Sequence, residues 1–310
     1  MSELVHIPVM ANECIEGLNI KPNGIYVDGT IGGAGHSLLI CEKLKGGRLI
    51  GIDRDTYALG RAKNRLEKHM DKVTLVNGNF SDIKSILATL EIDGVDGILL
   101  DIGVSSFQFD DADRGFSYRF DAPLDMRMSQ GEGISAKDIV NGYSEEHLAR
   151  IIYQYGEEKF SRQIAKNICK ARELKQIETT FELSDIICNS YPSFARKGGH
   201  PAKQTFQALR IEVNGELEIL PQAVKDGIES LNKGGRMEVI TFHSLEDRIV
   251  KDAYAEMATG CTCPRDFPIC VCGNKPKIKI ITKKPIIATE KELAENHRSA
   301  SAKLRIAEKL

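Results

Sequence analysis

Apolar residues along this chain gather in two kinds of pattern. Short β-branched runs recur at 25–27 (IYV), 48–53 (RLIGID), 73–80 (VTLVNGNF) and 95–103 (VDGILLDIG). Runs of this length and make-up predict buried strands. Between them the apolar positions switch to a helical period: 36–44, then TYALGRAKNRLEKH with Leu59, Ala62 and Leu66 on one face, then SDIKSILATL behind a Ser/Asp start signal. A short helix over 12–18, closed by the Pro22-Asn23-Gly24 turn, leads in. Strands alternating with helices predict a parallel, doubly wound α/β sheet.

The strand pattern stops at Phe107. From there to His200 only helical periods recur, in SAKDIVNGY, SEEHLARIIYQYG, EEKFSRQIAKNICKAREL and TFELSDIICNSY. They follow a long loop rich in Asp, Arg and Phe, SSFQFDDADRGFSYRFDAPLDMRM, and loops of that length are usually functional. The sheet then resumes. AKQTFQALRIEVNGELEIL and LPQAVKDGIESL read as helices, 234–244 as a fifth strand and SLEDRIVKDAYAEM as its helix. Lys and Ile alternate over 276–289, which suits one edge strand guarded by lysine. The charged segment ENHRSASAKLRIAEK predicts a tail that packs late or stays mobile. The expected division is residues 1–106 with 201–310 as one cofactor-binding domain, and 107–200 as a helical insertion.

The chemistry concentrates where the first strand ends. IYVDGTIGGAGH (25–36) places an acid, Asp28, ahead of Gly29, Gly32, Gly33 and Gly35. Strand, glycine turn and helix start form the phosphate- or cofactor-binding opening of many α/β units. The order here is G-x-x-G-G-x-G, not the G-x-G-x-x-G of dinucleotide folds. An acid at the turn suits a ligand carrying positive charge, such as S-adenosylmethionine. Asp53 closes the second strand 20 residues past Gly33, where a ribose-binding carboxylate is expected. Ligands of such sheets sit beyond the carboxyl ends of the strands. That rim also gathers Asn79, Phe80 and Asp101, with Phe80 placed to lie against adenine and Asp101 near the cofactor's amino-acid end or the methyl acceptor. His243, past the fifth strand, is a rim or capping residue. No nucleophile–base pattern and no Walker lysine occurs, which fits a transfer whose cofactor brings the electrophile.

Composition narrows the partners. The net charge is −2, so nucleic acid would have to be met by local basic patches. One is a stripe of Lys159, Arg162, Lys166 and Lys170 opposite an apolar stripe of Phe160, Ile164 and Ile168. Another is the Lys-rich 275–284 stretch. No run reaches the length of a membrane span and no signal-peptide pattern opens the chain, so a cytoplasmic location is expected. Cys261, Cys263, Cys270 and Cys272 form two C-x-C pairs. Four thiols this close could hold a tetrahedral zinc, although C-x-C spacing strains a shared metal; reduced thiols on a loop are the other reading, and no metal is assigned.

DGTIGGAGHS, GIDRD, LLDIGVSSFQFDDADRGFSYRFDAPLDMRM, HPAKQTFQALRIEVNGELE and GGRMEVITFHSLEDRIVK together resemble the RsmH (MraW) family across nearly the whole chain. The resemblance implies a Rossmann-like methyltransferase sheet with an inserted helical substrate-recognition domain. It implies transfer of a methyl group from S-adenosylmethionine to the 4-amino group of a cytidine in 16S ribosomal RNA of the small subunit. It places cofactor contacts at Gly33, Ala34, Gly35, His36, Asp53, Phe80, Asp101 and Gln108, with Asp101 also the catalytic candidate and the 103–128 loop closing the site. Two rival classes remain: an NAD-linked oxidoreductase, and a non-catalytic ribosome-binding protein on the same fold. The oligomeric state is left open, a homodimer included.

Overall fold

The computed structural model describes residues 7–103, 112–128, 133–192, 199–263, 269 and 271–310. The chain forms two compact units, Met1–Gly103 with Leu217–Leu310, and Val104–Glu216.

The first unit is a sheet whose strands carry two apolar faces. Its first half holds α1 (Ala11–Gly17), β1 (Ile25–Asp28), α2 (Gly35–Lys43), β2 (Arg48–Asp53), α3 (Thr56–Arg65), β3 (Val73–Asn77), α4 (Ile83–Thr89) and β4 (Val95–Asp101). Side chains alternate faces along a strand. Val27, Ile50, Ile52, Ile98 and Leu100 therefore pack into one core with Ile83 and Leu87 of α4. Tyr26, Leu49 and Leu99 pack into another with Cys14, Ile40 and Ala62 from α1, α2 and α3. Apolar residues on both faces explain why these runs read as continuously hydrophobic rather than alternating.

The second unit contains α5 (Ala136–Gly142), α6 (Glu145–Gly156), α7 (Ser161–Leu174), α8 (Thr180–Ser190) and α9 (Ala202–Asn214). Ser135 and Thr179 start α5 and α8 with reciprocal capping boxes to Asp138 and Glu182. Ile139, Leu148, Ile152, Ile164, Ile168, Leu183 and Phe206 share one core. Because Ala202, Phe206 and Leu209 belong to that core, α9 is part of this unit, and the division falls at 216/217 rather than 200/201. Segment 112–128 also contributes Phe116, Leu124 and Met126 to the helical core. Arg114 holds the carbonyls of Arg127 and Met128 at 2.9 Å each, so this part of the long loop is built into its own unit.

The chain returns to the sheet through α10 (Glu216–Ser230), β5 (Leu231–Thr241), α11 (Ser244–Ala258), β6 (Ile278–Ile280), β7 (Ile286–Ile287), α12 (Glu290–Glu295) and β8 (Lys303–Lys309). The strand order is β3-β2-β1-β4-β5-β8-β6, with β7 also on β8. The first five strands are parallel, and β8 runs antiparallel to β5.

Three expectations are corrected here. The single helix read over 202–220 breaks at Gly215, whose φ of 60° ends α9 in the left-handed region that glycine enters without strain. The edge strand read over 276–289 is two short pieces, each paired to β8. The supposed tail is β8, an interior strand with Leu304 and Ile306 buried. Its Arg305 is tolerated because Asp247 takes the guanidinium in two bonds of 2.6 and 3.1 Å.

Candidate active site

The glycine turn is fastened to the strand on either side of β1. Gly29 N donates to Leu99 O on β4 at 2.9 Å, and Ile31 N donates to Ile52 O on β2 at 3.0 Å. Thr30 Oγ1 accepts from Asp101 N at 2.7 Å. Asp53 Oδ2 accepts from Gly32 N at 2.9 Å, while its Oδ1 accepts from Asp55 N at 2.9 Å. Arg65 of α3 reaches back to Gly33 O at 3.0 Å. Gly32 and Ala34 stand at φ 47° and 56° in the left-handed region, and their amides are held inside the turn, that of Gly32 by Asp53 and that of Ala34 by Ile31 O at 2.6 Å. A Cβ at Gly29 would lie 2.4 Å from Leu100 and 3.1 Å from the Phe80 Cβ, so Phe80 packs directly against the turn.

Three acids close adjacent strands β2, β1 and β4: Asp53, Asp28 and Asp101. They differ in what they can offer. Asp28 is buried, with Oδ2 accepting from Ser37 Oγ at 2.6 Å and Oδ1 from Thr30 N at 3.3 Å. It braces the turn and the start of α2 from beneath, and burial pushes its carboxyl above the ordinary range. Asp53 is half-buried, which also raises its carboxyl, while the two amides pull the other way. Each of its oxygens spends one lone pair on an amide, leaving one apiece for a ligand hydroxyl. Asp101 is pushed up to about 6 by burial, with His36 opposing the shift and Asp28 and Glu246 adding to it.

His36 is buried, and its Nε2 bonds to Val9 O at 2.8 Å. The side chain thus pins the segment before α1. What residue 36 has left for a ligand is its backbone amide, which with those of Gly35 and Ser37 lies in the first turn of α2 and lacks an intrahelical acceptor.

The structure therefore brings Gly33, Ala34, Gly35, His36, Asp53, Phe80 and Asp101 onto or beside one turn; Gln108 lies outside the described residues. Thr30 and the Gly32 amide escape sequence reasoning, because a backbone donor has no sequence signature. His243 caps α11, its Nδ1 accepting from Glu246 N at 3.4 Å, and Glu246 reciprocates at Phe242 N and His243 N.

The arrangement suits a ligand with vicinal hydroxyls for Asp53, a flat ring for Phe80 and a cationic end near the acids. In the helical unit, Arg162, Lys166 and Lys170 of α7 and Lys159 just before it are exposed, while Ile164 and Ile168 of α7 are buried. None of the four bases has a carboxylate partner among the described residues. In the 275–284 stretch, Lys277 is taken by Glu229 at 3.0 Å.

A family model described as the MraW methylase family matches residues 3–310. Curated relatives named ribosomal RNA small subunit methyltransferase H align end to end. The one from Brevibacillus brevis is 57% identical over 98% of this chain and 98% of its own. Those from Finegoldia magna and Clostridium botulinum are 54% and 56% identical, each over 99% of this chain and 99% and 100% of their own.

Proposed function

The chain belongs to the MraW methylase family, and from that premise we propose that it methylates the exocyclic 4-amino group of a cytidine in 16S ribosomal RNA of the small subunit. The methyl donor is S-adenosylmethionine, which when bound supplies an electrophilic methyl group on sulfur. The observation that carries the reading is the rim of β2, β1 and β4. There Asp53 keeps spare lone pairs for ribose hydroxyls beside an open glycine turn, and Asp101 stands one strand beyond Asp28.

Asp101 is the acceptor for the amine. A cytosine amino group is a weak nucleophile because its lone pair is delocalised into the ring. A hydrogen bond from its N–H to a carboxylate pyramidalises the nitrogen and stabilises the positive charge that grows there. With its carboxyl near 6, Asp101 is mostly ionised at neutral pH yet basic enough to draw the N–H proton as the bond forms. Asp28 holds the turn from below, and the His36 side chain holds the preceding segment, so the rim is set before substrate arrives. The exposed bases of α7 meet phosphates.

The test is methylation of small subunits from cells lacking this gene, with the modified base mapped by mass spectrometry. Transfer of one methyl to a 16S cytidine N4 is expected. Methylation of another base or of another position on the ring overturns the assignment. A titration that finds NAD binding and none of the sulfonium donor would instead support an oxidoreductase.

A further inference from the structure

We propose that Cys261, Cys263 and Cys272 form a zinc site that pins the connection between α11 and β6. The proposal reverses the expectation from spacing, and the reason is geometric. Two C-x-C pairs would strain a metal if each pair had to chelate it alone. Here Cys261 and Cys263 stand on one arm of the loop and Cys272 on the other. Cys261 Sγ of the first arm lies 3.7 Å from Cys272 Sγ of the second. All three sulfurs lie within 4.8 Å of one another. A tetrahedral ion with zinc–sulfur bonds near 2.3 Å requires sulfurs about 3.8 Å apart along each edge. A disulfide needs roughly 2.05 Å. The described cysteines carry no disulfide.

The surroundings of the sulfurs are those of thiolate ligands. Cys263 Sγ accepts from Val271 N and Cys272 N, both at 3.3 Å. Cys272 Sγ accepts from Thr262 N and Asn274 N, both at 3.4 Å. Backbone amides aimed at sulfur stabilise the deprotonated form and fix its direction, the outer-shell arrangement of metal centres. The arms are also fastened below the sulfurs. Asn274 Nδ2 bridges Thr259 O and Gly260 O at 3.3 and 2.8 Å, and Lys277 N donates to Met257 O at 2.8 Å. The thiols are thus brought together by a closed loop base and not by chance contact on a surface. Soft, closely spaced thiolates select zinc over magnesium or calcium. On binding, three S–H protons pass to solvent as three zinc–sulfur bonds form, and one further donor completes the tetrahedron. Cys270 lies outside the described residues. The site lies in the loop past α11 and uses none of the acids of the sheet rim, so its role is to hold the loop.

The experiment uses the full chain purified under reducing conditions and desalted. Elemental analysis should find about one zinc per chain, and cobalt put in its place should give the intense visible bands of a tetrahedral thiolate complex. C261S and C272S should each lose the metal and the bands, whereas C188S, in the helical unit, should keep both. Chelation should also open the 259–277 loop to limited proteolysis while the helical circular dichroism stays unchanged, which separates loss of metal from loss of fold. Three results would overturn the proposal: a wild-type chain that keeps no zinc after exposure to it, a C261S/C272S double variant that keeps as much as wild type and so marks adventitious metal, or a Cys261–Cys272 disulfide in freshly isolated protein.

Discussion

The carboxylate of Asp53 accepts a hydrogen bond from the backbone amide of Gly32 at 2.9 Å, joining the tip of β2 to a turn that begins after β1. One residue thereby both shapes the turn and faces the space beside it. Asp53→Ala should abolish S-adenosylmethionine binding in a calorimetric titration. Asp53→Asn, which keeps one acceptor oxygen, should weaken it by roughly ten- to a hundredfold, the loss of one charge-assisted bond. Unchanged affinity in the alanine variant would remove Asp53 from the site.

Gly29→Ala tests the packing of the turn. The new methyl would arrive 2.4 Å from Leu100 and 3.1 Å from Phe80, and both are held by the core beneath. Overpacking of this kind costs about 1–3 kcal/mol. The melting temperature should fall, and cofactor affinity should fall further than stability predicts, because Phe80 is pushed off the rim. A variant that melts lower yet binds normally would take Phe80 out of cofactor recognition.

Asp101 gives a pH signature of definite sign. Its folded carboxyl stands at about 6 against an ordinary 3.8, so the folded state holds the proton more tightly than the unfolded chain. The stability this contributes is complete below 3.8 and is lost as pH rises through about 6. Relative to wild type, Asp101→Asn should therefore gain melting temperature progressively across that window. The activity runs the other way: wild-type kcat/KM should climb as the carboxylate forms near pH 6 and then level, and the asparagine variant should be slow with no such rise. A wild-type profile flat from about one unit below that value to about two units above it would rule out a titrating Asp101 as the acceptor.

Arg162 and Lys166 stand exposed on α7 and Lys159 just before its start, while the helix's Ile164 and Ile168 are buried. Changing all three to Glu should leave the fold intact and lower RNA affinity. The slope of log affinity against log salt should shrink by about two to three, near 0.7–0.9 for each phosphate that is no longer neutralised. Identical slopes in variant and wild type would assign this face to solvent.

Strands β1 to β4 and the helices between them are legible in the sequence because both faces of each strand are covered, and local composition alone then marks a strand. The rim acids Asp53 and Asp101 are legible for the same reason, since position at a strand tip fixes where a side chain stands. What escapes is whatever depends on a distant partner. Arg305 makes 303–309 look solvent-exposed, and the carboxylate that takes it, Asp247, lies 58 residues earlier. Asp28 reads as a ligand contact, but Ser37 and Thr30 take its oxygens. The two C-x-C pairs read as a strained site for a shared ion because spacing says nothing about which sulfurs the loop brings together.

Arg305 also offers a test of that hidden pairing. Asp247→Ala leaves a guanidinium buried in the middle of the sheet without its two bonds, and should cost about 3–5 kcal/mol. Pairing it with Arg305→Met should recover much of the loss in chemical denaturation. A double variant no better than the single would show that the pair is not the reason β8 tolerates charge.

The place of β8 in the sheet sets an order of events for a chain emerging from its own synthesis. Residues 104–216 are one contiguous stretch and can collapse as soon as they are made. The sheet cannot close then: β5 must wait for residues 303–309 to cover its open edge, and Lys309 must arrive before it can clasp the carbonyls of Glu229, at the end of α10, and Leu231, at the start of β5. Until residues 303–309 appear, β5 keeps a bare edge open to pairing with other strands, while the inserted unit already has all of its own residues.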